Sequence, residues 1–151
     1  MKRIIVLTLV LSLLCVAMPV CVSAQTVTSE SRIDFEDGSY MITTIEESTS
    51  LSRTTKNHNK IQRYYNANNV LQWRIVLVAT FTYDGTTVSC IAAGCNADVY
   101  TNNWTVISES DYISGNTAYG YATLANTLLG VTVSERSYTL TLTCDKNGNV
   151  S

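Results

Sequence analysis

Histidine and proline are nearly missing from this chain: His58 and Pro19 stand alone in 151 residues. With one imidazole, a triad built on a serine or cysteine nucleophile has a single possible base, and His58 falls in a polar stretch beside Lys56, Lys60 and Arg63. It reads as a surface residue of a basic loop, and a pairing with Cys95 is the weaker alternative. Zinc is poorly served too, because no two cysteines have C-x-x-C spacing. Charge is also scarce, at 15% of residues with a net of −2, and removal of Lys2 and Arg3 would make the remainder more acidic. Such a chain is a poor match for the phosphate backbone of nucleic acid.

Pro19 and both basic residues belong to the opening segment. Met1, Lys2 and Arg3 precede an apolar run from Ile4 through Val22, which ends in Val22, Ser23, Ala24 and Gln25. That order is the plan of a secretory signal peptide, with the small Ala24 at the cleavage position. Residues 1–24 are therefore expected to be removed between Ala24 and Gln25, giving a secreted, extracellular protein. No second apolar stretch is long enough to span a bilayer, so no membrane span is expected after processing.

Beyond the leader, Thr, Tyr, Val and Ile dominate, residues that suit a half-covered pleated surface. Residues 25–58 are more polar and read as a partly mobile N-terminal segment with one strand at 40–45; residues 59–151 read as the folded domain. Leu71, Trp73, Ile75, Leu77, Ala79, Phe81 and Tyr83 alternate with polar positions, the period-two pattern of a strand with one buried face, and a bend is expected near Val76 and Val78. Asp84 and Gly85 predict a type I′ turn into a strand at 86–90. Further strands are expected at 97–100, 104–109, 117–124 and 131–144, the last interrupted by a bulge near 135–137. The whole is an all-β chain, an antiparallel β-sandwich of seven to eight strands, with a flattened barrel as the alternative.

Cys90, Cys95 and Cys144 remain after the leader. Cys90 shares a face with Val88, and Cys144 with Leu140 and Leu142, so those two are expected in the core and bonded to each other. That bond would close a loop of about 54 residues, worth about 4 kcal/mol. Cys95 follows Gly94 in an expected loop as the odd thiol. Asp84, Asp98, Glu109 and Asp111 are the candidate carboxylates for acid–base work, but each lies in a turn or at a strand end where a solvated acid is ordinary. The tail from Asp145 to Asn149 starts like a calcium loop, then has Val150 where the glycine belongs, and reads as a closing turn. No catalytic set, metal site or cofactor is expected. Tyr119 and Tyr121 alternate with Ala118, Gly120 and Ala122: either the small residues pack inward and the tyrosines form an exposed binding pair, or the reverse.

The stretches FTYDGTTVSC (81–90), SGNTAYGYATL (114–124), LLGVTV (128–133) and TLTCDKNG (141–148) resemble an uncharacterised family of small secreted proteins from gut clostridia. The resemblance implies a Gram-positive, extracellular origin and carries no assigned activity. These readings lead to a non-enzymatic secreted sandwich that binds an extracellular polymer or protein. A secreted bacteriocin-like effector is the alternative.

Overall fold

The computed structural model describes residues 25–48 and 54–151. The expected leader and Ala24 of its cleavage position lie outside them, and Gln25 opens the first strand. Eight strands follow: β1 (Gln25–Asp34), β2 (Tyr40–Ser48), β3 (Thr55–Tyr65), β4 (Leu71–Tyr83), β5 (Val88–Val99), β6 (Trp104–Ser114), β7 (Thr117–Leu128) and β8 (Val131–Thr143). They form two antiparallel sheets, β1-β2-β3-β4-β5 and β6-β7-β8, with no helix among the described residues. The architecture is a β-sandwich, not a closed barrel.

Alternation in β4 sets the core. Trp73, Ile75, Leu77, Ala79 and Phe81 are all 0% exposed and pack with Ala118, Ala122 and Leu124 of β7 and with Leu140 and Leu142 of β8. Small residues on β7 let the sheets approach closely. A Cβ on Gly120 would lie 2.9 Å from Cys95 Sγ and 3.1 Å from Leu77 Cδ1, so only glycine fits that contact. At the β5 edge the sheets are joined by side chains: Glu109 accepts from the Ala97 N–H at 2.8 Å and Asp111 from the Cys95 N–H at 3.4 Å. These two carboxylates satisfy edge donors that would otherwise face water or another strand.

Several boundaries depart from the sequence expectations for definite reasons. Residues 25–58 supply β1, β2 and the start of β3, so the sheet does not begin at 59. Every residue of β1 is exposed, and a strand covered on neither face has no reason to alternate apolar with polar. β1 is held by its ladder to β2 and by Arg32, whose guanidinium lies 3.8 Å from the Tyr40 ring centre. The β4–β5 hairpin exists, but as a four-residue loop in which only Gly85 has positive φ. Asp84 closes it by accepting from the Thr86 and Thr87 N–H groups at 2.8 and 2.6 Å, an Asx turn in place of type I′. In β4 the irregularity falls at Gln72, not at Val76 and Val78, and in β8 the extra residue is Val133, not one of 135–137.

Cys95 shows the largest consequence of a bulge. β5 is one continuous strand in which Ile91 is the extra residue, between the pairs Phe81–Cys90 and Thr80–Ala92. Before it Val88 and Cys90 face the core; after it Ala93, Cys95, Ala97 and Val99 do. The phase shift carries Cys95 out of its expected loop and into the space between the sheets.

Candidate functional site

At one end of the sandwich the sheets part around a cleft of about 440 Å³. Its walls come from sequence-distant elements: Phe35 from the β1–β2 turn, Met41 from β2, Tyr64 from β3, Trp104 from the start of β6 and Tyr138 from β8. The rings brace one another. Tyr64 meets Phe35 edge-on at 6.1 Å and Trp104 at 5.9 Å, while Trp73 lies behind them, 5.4 Å from Tyr64 and 4.6 Å from Tyr138. Trp73 is fully buried and its indole N–H has no partner.

Polar groups line the rim. Asp37 accepts from the Ser39 hydroxyl at 2.5 Å and the Ser39 N–H at 3.0 Å. The hydroxyl bond first, then the backbone bond and the nearby Arg136 guanidinium, hold its carboxyl below the usual range. Burial pushes the Tyr138 phenol up, so it stays protonated. The cleft therefore offers aromatic walls, one fixed anion and one cation, an arrangement suited to holding a ring or an apolar group by its faces.

A second aromatic cluster lies on the outer face of the three-stranded sheet. Ala118 and Ala122 face the core, so Tyr119 and Tyr121 point outward, which decides between the two sequence alternatives. Tyr112, directly opposite Tyr119, stacks on both: 4.5 Å from Tyr119 and 5.8 Å from Tyr121, within 10° of parallel, with its hydroxyl 3.4 Å from that of Tyr121. The row of three was half visible in the sequence. Tyr112 lies beyond residue 109, where the sequence pattern predicts the end of β6, whereas the strand runs on to Ser114.

Comparison with protein-family models, curated proteins and solved structures finds no significant match.

Cys90 and Cys144 both reach the core cluster, as their phase predicted, yet they are free thiols and not the expected disulfide. Each sulfur is engaged locally, Cys90 with the Ala92 carbonyl and Cys144 with the Asp145 carbonyl, both at 3.3 Å. Burial first, then Glu109 and Asp111, pushes the Cys95 thiol up to about 11, the opposite of an activated nucleophile.

His58 is not on the surface. It sits in β3 between Glu47 and Ala79, 3% exposed, its ring 6.2 Å from Phe81, and neither ring nitrogen has a partner. Desolvation lowers its pKa and keeps it neutral, against the smaller pull of Glu47. The candidate carboxylates are absorbed by structure: Asp98 pairs with Arg74 at 2.7 Å, Asp84 closes its turn, and Glu109 and Asp111 cap β5. Among the described residues no group of three His, Cys, Asp or Glu side chains could hold a metal ion.

Proposed function

We propose that the protein is an exported, non-enzymatic binding module that holds an aromatic, sugar or apolar group of an extracellular polymer or protein in the cleft walled by Phe35, Tyr64, Trp104 and Tyr138. The observation that carries this reading is the convergence of four rings from four separate elements around one concavity, with Arg136 and Asp37 at its rim. Preformed aromatic walls take a ring at low entropic cost. The titratable groups at the cleft are ill suited to acid–base chemistry: Asp37 is held ionised by Ser39, and His58 and Cys95 line other parts of the fold. The leader from Met1 to Ala24 supports the extracellular address.

Retention on purified cell wall and on immobilised glycans tests it. Phe35→Ala and Arg136→Ala, both at accessible positions, are each expected to weaken retention about tenfold, equivalent to about 1.4 kcal/mol, while the variants remain folded at the temperature of the assay. Equal retention by both variants and wild type would overturn the cleft as the site. Loss of retention on replacing Tyr119 and Tyr121 by serine would place binding on the outer sheet instead. Killing of neighbouring cells without retention would favour the effector reading.

A further inference from the structure

The tip of the β7–β8 hairpin is built against the usual preferences of a water-exposed turn. From Ile113 to Ser134 the chain carries no charged side chain. Leu128 and Val131 pair across the tip, and Leu129 and Gly130 form the turn between them, both with positive φ, 51° and 81°. A two-residue turn of this hand favours asparagine or aspartate before its glycine, and a leucine there is strained. Leu129 is also 97% exposed, with Leu128 at 64%, Val131 at 66% and Val133 at 58%. One residue thus bears both a conformational and a hydration cost.

Geometry points to the medium that would remove the second cost. β6 begins opposite Asn126 and Asn103 O still accepts from the Thr127 N–H at 2.8 Å, so the hairpin projects beyond its neighbour from the Leu128–Val131 pair onward. On β7 the inward face runs from Leu124 in the core through Asn126 on the cleft wall to Leu128; Leu129 occupies the apex, and Val133 is displaced by its bulge. Apolar groups that surround a convex tip are not covered by one facing protein surface, but a fluid apolar phase covers them from every side. Ladder pairing persists up to Leu128 and Val131, so few unpaired backbone groups would be carried inward. Along β8 the first charges, Glu135 and Arg136, begin about 16 Å from Gly130 at ~3.3 Å per residue, a length that exceeds the ~5–10 Å of the interfacial zone.

We propose that residues Leu128–Val131 insert into the interface of a zwitterionic phospholipid bilayer. Zwitterionic lipid is specified because the finger offers no cation to an anionic headgroup and the chain as a whole is acidic. This inference does not depend on the cleft.

Tryptophan reporters in the full chain, mixed with phosphatidylcholine vesicles carrying brominated acyl chains, test it. Trp73 and Trp104 are 0% and 8% exposed and form a constant background. Leu129→Trp, and Val131→Trp as a second reporter that leaves the strained position untouched, should each be quenched at least about twofold. Thr86→Trp, on the β4–β5 loop at the far end, should not be quenched; it controls for attachment through residues 4–22 alone. Adding Leu128→Asp to either tip reporter should abolish its quenching. Unquenched tip reporters, or equal quenching at Thr86, would overturn the proposal. So would a lipid-independent blue shift that grows with protein concentration, since a second copy of the chain would then be the occupant.

Discussion

The two ends of the sandwich are finished in opposite ways. At the end holding the β4–β5 loop, the β6–β7 turn and the C-terminal tail, backbone groups are tied across elements: Gly85 N–H to Lys146 O, Cys90 N–H to Gly115 O, Cys144 N–H to Asn116 O, and a reciprocal pair between Thr143 and Ser151. Asp145 closes the tail by accepting from the Asn147 and Asn149 N–H groups at 2.8 and 2.9 Å, the closing turn its sequence suggested. At the other end the turns are also hydrogen-bonded, Tyr100 N–H to Gln72 O and Thr127 N–H to Asn103 O among them, but a cleft walled by aromatic rings opens between the sheets and an apolar fingertip stands beside it. The difference between the ends is therefore the concavity and not the count of backbone ties: rings that brace one another around a cleft leave surface a ligand can reach.

Trp73→Ala should produce the largest effect, a loss of about 3–5 kcal/mol, because the ring behind the cleft supports Tyr64, Trp104 and Tyr138 together. Denaturant unfolding measures it. A loss below about 1 kcal/mol would mean that the aromatic end is not part of the cooperative core.

At the tied end, Gly148→Ala tests how tightly the tail is docked. Gly148 has φ of 85°, and a Cβ there would lie 2.5 Å from Tyr83 Cζ. The expected loss is about 1–3 kcal/mol, with faster amide exchange at Gly85, whose partner is Lys146 O. Unchanged exchange would show the tail to be held independently of Tyr83.

Acid should act in two stages. His58 is neutral when folded and its pKa is lowered, so the unfolded chain binds the extra proton first; stability is full above the ordinary 6.5 and falls as pH drops through it toward the folded value. Asp84 and Asp145 have lowered pKa values, from their backbone and side-chain hydrogen bonds. Their contribution is full above the ordinary 3.8 and is lost as pH falls through the folded values. Melting temperature against pH for wild type and His58→Phe separates the stages: the variant should lose the upper one only. An upper stage that persists would assign it to another group.

The smallest effect on stability is expected from Phe35→Ala, at a residue 38% exposed on the cleft rim. Its edge contact with Tyr64 is worth about 0.5–1.5 kcal/mol. Thermal melting checks it, and a loss above about 3 kcal/mol would make Phe35 a core residue and disqualify it as a binding probe.

Local pattern alone determined that the chain is all-β, that alternate positions of β4 from Trp73 to Phe81 are buried, and that Cys90, Cys144, Leu140 and Leu142 face inward. Each follows from period-two alternation, which is written in neighbouring residues. Tertiary structure decided the rest. β1 was unreadable because neither of its faces is covered, and Cys95 was misplaced because the bulge at Ile91 exists only in the pairing of β5 with β4. His58 lies in a sequence of charges, and its burial depends on Phe81 more than twenty positions away. The cleft was invisible for the same reason. Phe35, Tyr64, Trp104 and Tyr138 share no spacing or motif, and only the crossing of two sheets brings their rings to one place.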